Sequence, residues 1–289
     1  MSPGLFGFKK LKAKIRNFIG ANYLKSLRDI LISYQTTKLQ KLHDNPLNSF
    51  GKKCFSQTDE DGITLEIIKR LGIKKGVFAE FGVGNGCENN TLILASLGWK
   101  GFWVGGENLN FTYNNNSNFN FTKGWVTKEN SVDFFNTSLK KIKSNKIDLL
   151  SIDLDGNDYY ILEELLSKIE LPNIIITEYN AKFPPPVLFK IKYDPNHKWN
   201  LDDYFGASLC ELVNLMKNFS YKLVCCNSHT GSNAFFVKNE FSKFFEDVPN
   251  EIEKIYVGPR YHLYSEIGFG HKQSKKTIEE IFRNLEKQG

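Results

Sequence analysis

The sequence has few cysteines and no long apolar run. Its five cysteines form no Cys-x-x-Cys pair, and this small, odd number argues for reduced thiols and against a structural zinc site. No apolar run approaches the roughly 20 residues that cross a membrane. Lysines interrupt the N-terminal apolar residues, so no signal peptide is predicted. We therefore expect a cytoplasmic protein without a transmembrane segment.

Positive charge is concentrated at the N-terminus. The 289-residue chain has a formal net charge of +6, and residues 1–50 contain nine Lys and Arg against two Asp. The rest of the chain is therefore close to neutral. A near-neutral main domain disfavours a nucleic-acid partner.

An amphipathic helix is predicted over residues 5–43. Apolar residues recur there at three- and four-residue spacing, as in Leu24, Leu27 and Leu31, and basic residues occupy the opposite face of its first half. Two interpretations remain open. The helix makes a peripheral contact with a membrane surface, or its apolar face packs on the protein itself or on a second copy in a homo-oligomer.

Beyond residue 50, short apolar strands alternate with helices. Five such strands are predicted, the third of them over 122–126, and this alternation is typical of a parallel sheet covered on both faces. The last two strands, 221–226 and 233–237, are joined by a loop too short for a helical crossover, so they are predicted to be antiparallel neighbours. An α/β, Rossmann-like, doubly wound sheet that ends in an antiparallel hairpin is the architecture of class I methyltransferases.

A glycine-rich loop follows the first predicted strand. In the segment from Glu80 to Gly86, glycines at alternate positions let a ligand approach the backbone closely. The loop is expected at the carboxyl edge of the sheet, where ligands bind. Cys87 stands where the dinucleotide fingerprint requires glycine, and the sequence has no Gly-x-x-x-x-Gly-Lys-Ser/Thr loop. The sequence therefore excludes nucleoside triphosphate binding through that loop and departs from the dinucleotide fingerprint.

Two acidic residues favour S-adenosylmethionine (SAM) as the ligand of this loop. Glu80 would repel a pyrophosphate but suits the ammonium and sulfonium groups of SAM. Glu107 ends the second strand, where a carboxylate can accept hydrogen bonds from both ribose hydroxyls. The predicted cofactor-binding residues are Glu80, Gly82, Gly84 and Gly86 for the methionine end, Glu107 for the ribose, and Asn130, after the third strand, for the adenine.

Ordered motifs in residues 50–240 carry a family resemblance. They are Phe55-Ser56-Gln57 with Glu60-Asp61, the glycine loop, Asp148–Asp158, Glu178–Ala181, Asp203–Leu209 and Asn233–Val237. In this order they resemble the FkbM-like SAM-dependent methyltransferases, most of all a group often encoded with surface-polysaccharide genes. The resemblance implies O-methylation of a sugar hydroxyl, nucleotide-linked or polysaccharide-bound, in capsule or surface-glycan synthesis. It also adds Gln57 to the cofactor-binding residues.

The extent of the resemblance sets the expected domain boundaries. Three regions are predicted: a basic helical extension (1–50), the SAM-dependent methyltransferase domain (51–240), and a C-terminal segment with a terminal helix that packs on the domain (241–289).

Polar residues follow the fourth and fifth predicted strands. Asp153 and Asp155 end the fourth strand, Glu178 and Asn180 end the fifth, and the carboxyl ends of parallel strands meet at one edge of a sheet. Oxygen ligands of this kind suit Mg²⁺ or Mn²⁺, and the layout resembles that of metal-dependent O-methyltransferases. The predicted metal ligands are therefore Asp153, Asp155, Glu178 and Asn180. Alternatively, one of the two aspartates holds the amino group of the cofactor.

Methylation of a sugar hydroxyl needs a group that takes up its proton. The hydroxyl loses this proton as it attacks, to a positioned base or after metal coordination. Asp155, Glu178 and His229, in the turn of the terminal hairpin, are the candidate bases. His197, in a loop after the fifth strand, is a further candidate, since a neutral imidazole is available near pH 7.

Two other function classes remain open. Asp153-Leu154-Asp155 also matches the Asp-x-Asp signature of nucleotide-sugar glycosyltransferases, which bind a metal diphosphate there, but this leaves Glu80 and its glycines unexplained. The other alternative is a non-catalytic adapter that anchors a complex through its basic N-terminal helix. Bound SAM would distinguish the enzyme from both.

Overall fold

The computed structural model describes residues 20, 23, 26–28, 30–260 and 271–286. The chain divides into two compact units, Met1–Leu42 and His43–Gly289. In the first unit, residues 30–42 form a helix, α1, on which Ile30, Leu31 and Tyr34 are exposed. The part of the predicted N-terminal helix over residues 5–19 lies outside the described residues.

A seven-stranded sheet forms the centre of the second unit. Its strands are Val77–Phe81 (β1), Lys100–Gly105 (β2), Phe119–Lys123 (β3), Leu149–Ile152 (β4), Ile174–Glu178 (β5), Tyr221–Cys226 (β6) and Asn233–Lys238 (β7). They are arranged in the order β3-β2-β1-β4-β5-β7-β6. Strands β1 to β5 are parallel, and β7 is antiparallel to both β5 and β6. The protein therefore has the predicted Rossmann-like fold of class I methyltransferases, with its terminal antiparallel hairpin.

Helices connect and cover these strands. They are Glu60–Arg70 (α2), Leu92–Ser96 (α3), Lys128–Lys141 (α4), Asp158–Leu166 (α5), Leu209–Asn218 (α6), Ile252–Ile255 (α7) and Lys275–Glu286 (α8), with 3₁₀ helices at Pro46–Phe50 and Asn239–Phe245. None of the described helices has the length and apolarity needed to cross a bilayer.

The third strand lies earlier in the chain than predicted. The structure places β3 at Phe119–Lys123, three residues before the expected start. The buried polar residue Asn120 conceals the strand pattern, and it is tolerated because its Nδ2 donates to Thr122 Oγ1 at 2.8 Å. The residues that follow β3 therefore lie outside the strand, and some of them line a cavity at the carboxyl edge of the sheet.

The core follows the central strands. All four residues of β4 are buried, and four of the five residues in each of β1 and β5 are buried as well. This is the pattern of parallel strands that are covered on both faces of the sheet. The buried polar exceptions in these three strands are Glu80, Ser151 and Thr177. Each lies in the carboxyl-terminal half of its strand, close to the predicted site.

Candidate active site

A row of polar side chains crosses the carboxyl edge of the sheet. Ile152 of β4 pairs with Thr177 of β5, and Glu178 of β5 pairs with Asn233 of β7. Asp153 follows Ile152 directly. Because neighbouring strands are in register, Asp153, Glu178 and Asn233 come next to one another on three adjacent strands and share one face of the sheet.

Three carboxylates converge at this row. One oxygen atom each of Asp153, Asp155 and Glu178 lies within 4.8 Å of the others. Within the described part of the chain, no lysine, arginine or histidine forms an ion pair with any of them. The Oε2 atom of Glu178 is buried and has no hydrogen-bond partner. The fold therefore brings together the three carboxylates among the predicted metal ligands, with no described positive side chain paired to them.

Burial and mutual repulsion perturb these carboxyl groups. Loss of hydration raises the pKa of Asp153 well above its ordinary value, and the nearby Asp155 raises it further. Burial raises the pKa of Glu178 in the same way, with Asp153 as the next largest cause. The pKa of Asp155 is raised by burial and then by Glu107. Protons or a bound cation would relieve this repulsion.

Asp153 and Asp155 border a cavity with two adjoining lobes, whereas Glu178 is not among the described residues that line it. The larger lobe, about 540 Å³, includes Gln57, Glu80, Asn90 and Asn233 in its wall. The smaller lobe, about 250 Å³, includes Trp125, Val126, Asn157 and His197. Five residues line both lobes and make them continuous: Gly82, Gly84, Glu107, Asp153 and Asp155.

An apolar groove lies elsewhere on the molecule. It has a volume of about 750 Å³ and is lined by residues that include Val77, Trp99 and Tyr113. Val77 is the first residue of β1, so the groove is at the opposite end of that strand from the glycine loop. None of the predicted site residues lines it.

The glycine loop forms the wall between the lobes. Gly82 and Gly84 adopt positive φ angles of 91° and 50°. A Cβ atom on Gly82 would stand 1.6 Å from the carbonyl oxygen of Asp153, whereas one on Gly84 would meet nothing within 4 Å. Gly82 therefore allows two strand ends to approach each other, and Gly84 leaves the cavity open. Gly86 also has positive φ, but it packs against Leu109.

Glu80 reaches the cavity but is engaged with α3. Its carboxylate accepts hydrogen bonds from the backbone N–H of Asn90 at 2.9 Å, the N–H of Thr91 at 3.1 Å and the Thr91 hydroxyl. A carboxylate at this place stabilises the amino end of the helix. Burial raises the pKa of Glu80 to about 7, although these hydrogen bonds act in the opposite direction. Its predicted contact with the cofactor stays a prediction.

The raised pKa of Glu80 predicts a pH-dependent stability. Because this pKa is about 7 in the folded protein and 4.5 for an ordinary glutamate, the folded state binds the proton more tightly. The free energy of unfolding should therefore fall as the pH rises from about 4.5 to about 7. Urea unfolding at several pH values should show a smaller fall for Glu80→Gln than for the wild type. If the free energy of unfolding depended on pH in the same way in both proteins, the raised pKa assigned to Glu80 would be wrong.

Asn130 is not brought to the cavity. Its Oδ1 accepts a hydrogen bond from the backbone N–H of Thr127 at 2.8 Å, and its Nδ2 donates to the carbonyl of Trp125 at 3.0 Å. Both groups of the side chain thus cap the amino end of α4. Trp125 and Val126, a few residues earlier, line the smaller lobe instead.

The side chain of Asn180 forms hydrogen bonds to the loop before α6. Its Nδ2 donates to the carbonyls of Asp203 at 3.0 Å and Phe205 at 3.1 Å, and its Oδ1 accepts from the backbone N–H of Lys182 at 3.2 Å. The side chain is fully buried. The amide therefore forms hydrogen bonds within the loops after β5, and its role as a metal ligand stays a prediction.

His229 lies in the β6–β7 turn beside Asp59. Its Nε2 is 4.0 Å from Asp59 Oδ2, and its backbone N–H donates to Asp59 Oδ1 at 3.2 Å. Burial lowers the pKa of its imidazole, which keeps the ring neutral near pH 7. It is not among the described residues that line either lobe. Its role as a base therefore stays a prediction.

Sequence analysis assigned no role to Asn233. Its exposed fraction is 3%, and its Oδ1 has no hydrogen-bond partner although the residue lines the larger lobe. The pairing of β5 with β7 brings it opposite Glu178. The predicted hairpin could have indicated this position. A strand that runs antiparallel to β5 begins beside the carboxyl end of β5, and Asn233 is the first residue of β7.

No protein-family model and no curated protein match this chain. Solved structures resemble it at low identity. The N-terminal domain of EvdMO1 with SAH bound is 12% identical over 64% of this chain and 82% of that one, with a TM-score of 0.39. Precorrin-6y C5,15-methyltransferase from Geobacter metallireducens GS-15 is 13% identical over 64% and 91%, with a TM-score of 0.37. The glycopeptide N-methyltransferase MtfA is 11% identical over 64% and 93%, with a TM-score of 0.35. At such scores the likeness carries no argument about activity.

Proposed function

We propose that this protein is a SAM-dependent O-methyltransferase of the FkbM-like type, which methylates a sugar hydroxyl in surface-glycan synthesis. The observation that carries the proposal is the two-lobed cavity, where the glycine loop and Glu107 meet Asp153 and Asp155, with the carboxylate of Glu178 beside these two. An adenosyl sulfonium with an ammonium group fits this negative charge. The sugar acceptor is supported by the sequence resemblance.

The two lobes suit the two ends of the cofactor. The methionine end would lie in the larger lobe, against Gln57 and the backbone at Gly82 and Gly84. Glu107, which borders both lobes, would accept hydrogen bonds from the ribose hydroxyls. The adenine would then occupy the smaller lobe beside Trp125, whose exposed ring offers a stacking surface.

Methyl transfer would be a direct displacement. The acceptor oxygen attacks the methyl carbon, the bond from that carbon to sulfur breaks, and its electron pair stays on sulfur, which yields S-adenosylhomocysteine (SAH). The hydroxyl proton would pass to Glu178 or Asp155, whose pKa values are raised by burial, so that each accepts a proton more readily than an ordinary carboxylate. Alignment of the three reacting atoms supplies most of the rate increase.

The same carboxylates fit a divalent cation. Their oxygen atoms converge, and the Oε2 of Glu178 is buried without a partner. Such oxygen ligands are those that Mg²⁺ and Mn²⁺ prefer. When bound, the cation would lower the pKa of a hydroxyl that it contacts. Asp153, Asp155 and Glu178 would hold it.

Replacement of Glu107 by alanine tests the cofactor site. Calorimetry should show that the affinity for SAH falls by about 10- to 100-fold, because a hydrogen bond to a charged group contributes about 1.5–3 kcal/mol. The fold should be retained, since Glu107 is exposed and forms no described ion pair.

Glu88→Ala is the matched control for this experiment. Glu88 is a second exposed glutamate in the wall of the larger lobe. Its removal changes the charge equally but should leave SAH affinity close to that of the wild type. Equal losses in both variants would contradict a ribose contact by Glu107. Wild-type protein that does not bind SAH would refute the proposed function.

The acceptor can be identified with the same protein. Incubation with SAM and a panel of nucleotide sugars and purified surface polysaccharides should give a product that is heavier by one methyl group in place of one hydrogen. Mass spectrometry of fragments would locate the methyl on oxygen. Transfer to nitrogen or carbon would contradict the proposed class of reaction.

A further inference from the structure

Two buried oxygen atoms without hydrogen-bond partners among the described residues belong to neighbouring positions of β5 and β7. They are Glu178 Oε2 and Asn233 Oδ1, and their residues form a directly paired position of the two strands. Side chains at such a position project from the same face, with Cβ atoms about 5 Å apart. Asn233 also lines the lobe that Asp153 and Asp155 border. The strand pairing and the shared cavity wall thus place an asparagine side chain next to the three carboxylates.

The orientation of the Asn233 amide is set by Glu60. The Nδ2 of Asn233 donates to Glu60 Oε1 at 3.3 Å. Glu60 is itself held by Asn227 Nδ2 at 3.1 Å and by the backbone N–H of Thr58 at 2.8 Å. Because nitrogen and oxygen diverge from the same amide carbon, the contact with Glu60 turns Oδ1 away from that carboxylate.

This orientation leaves the amide oxygen of Asn233 in need of a proton donor or a cation. If the amide nitrogen of Asn233 faced the three carboxylates, its N–H groups would satisfy them. The protein instead directs that nitrogen to Glu60 and leaves the amide oxygen buried without a donor. A buried acceptor without a partner is costly. A hard cation coordinated by oxygen would remove this cost for Asn233 and Glu178 together.

We propose that Asp153, Asp155, Glu178 and Asn233 are the protein ligands of a divalent-cation site at the carboxyl edge of the sheet. Asn233, from the antiparallel strand β7, takes the position that the sequence suggested for Asn180. The inference rests on the proposed function in one respect, which is that the cation adjoins the site of methyl transfer.

Manganese binding to the full chain tests the site without cofactor or acceptor. Electron paramagnetic resonance should detect one saturable Mn²⁺ site in the wild type. Asn233→Ala should weaken it by about 10- to 100-fold, the range found for residues that support metal sites. Solvent-proton relaxation should show one more water on the bound Mn²⁺ in Asn233→Ala, because water replaces the lost oxygen. A purely structural role of Asn233 would not add this water.

Two further variants make the test specific. Asn157→Ala removes another buried asparagine whose Oδ1 has no partner, but from the smaller lobe. It should leave Mn²⁺ affinity unchanged. Asn233→Asp keeps an oxygen atom at the site and should retain or increase the affinity for Mn²⁺. This variant keeps the test valid if Asn233→Ala fails to fold.

The outcomes separate this inference from the proposed function. Absence of a saturable Mn²⁺ site, or equal affinity in the wild type and Asn233→Ala, would overturn the inference. Competition between SAH and Mn²⁺ would also overturn it, since the oxygens would then bind the ammonium group of the cofactor. SAH binding measured by calorimetry on the same samples judges the cofactor site independently.

Discussion

Glu178→Gln is expected to lower the rate of methyl transfer by about 10²- to 10⁴-fold, whether the carboxylate takes up the hydroxyl proton itself or helps to hold a cation that acidifies the hydroxyl. Glutamine has nearly the same shape as glutamate but cannot take up the hydroxyl proton. The buried Oε2 of Glu178 has no hydrogen-bond partner to lose, so the fold should be retained. The rate of SAH formation at saturating SAM, with an acceptor found in the screen, measures the effect.

The base can be identified by comparison with two other variants. Asp155→Asn should have the larger effect if Asp155, and not Glu178, removes the proton. His229→Gln should change the rate little, because His229 lies beside Asp59 and is not grouped with the converging carboxylates Asp153, Asp155 and Glu178. Activity of Glu178→Gln close to that of the wild type would contradict its assignment. SAH affinity should stay within a few-fold of the wild type, since Glu178 would act on the acceptor side.

Alanine at Gly82 should mainly lower stability, whereas alanine at Gly84 should mainly weaken cofactor binding. At Gly82 the new Cβ would stand 1.6 Å from the Asp153 carbonyl oxygen, at a φ of 91°. The strand ends or the glycine loop must shift to make room for this atom. We therefore expect the free energy of unfolding to fall by about 3–5 kcal/mol. Thermal or urea unfolding measures this loss. An unfolded or insoluble protein would agree with it.

Gly84→Ala is the matched variant in the same loop. Its Cβ meets no atom within 4 Å, so only the positive φ of 50° opposes it, at about 1–2 kcal/mol. The added methyl group would occupy the space proposed for the methionine end of the cofactor. SAH affinity should therefore fall by about 10-fold or more in a folded protein. Similar stability losses at Gly82 and Gly84 would contradict the placement of the loop.

The local pattern was enough to predict the order of the elements. Alternating strands and helices predicted the parallel sheet, and the short loop before residue 233 predicted the antiparallel hairpin. The predicted position of β3 was wrong by three residues, because the polar residue Asn120 is buried while Phe119 and Phe121 on either side of it are only half-buried. A hydrogen bond to Thr122 explains this polar residue, and that contact is visible only in the folded chain.

The candidate site was predictable where it depends on strand ends. Parallel strands place their carboxyl ends together, so the convergence of Asp153, Asp155 and Glu178 followed from the order of the elements. Asn130 and Asn180 were also placed near strand ends, but the fold uses their amides for a helix cap and for a loop. Residue type and position do not reveal which hydrogen bonds an amide will make.

The sequence alone determined the doubly wound sheet, the glycine loop at its edge and the grouping of acids beside that loop, because these depend on periodicity and on the direction of the strands. The tertiary structure decided which side chains are free to act. Glu80 accepts hydrogen bonds at the start of α3, and Asn180 donates to the loop before α6. Asn233 lies in the row of polar side chains across β4, β5 and β7. The reason is physical. Hydrogen bonds between residues distant in the chain compete for each polar group, and only the packed protein shows which of them form.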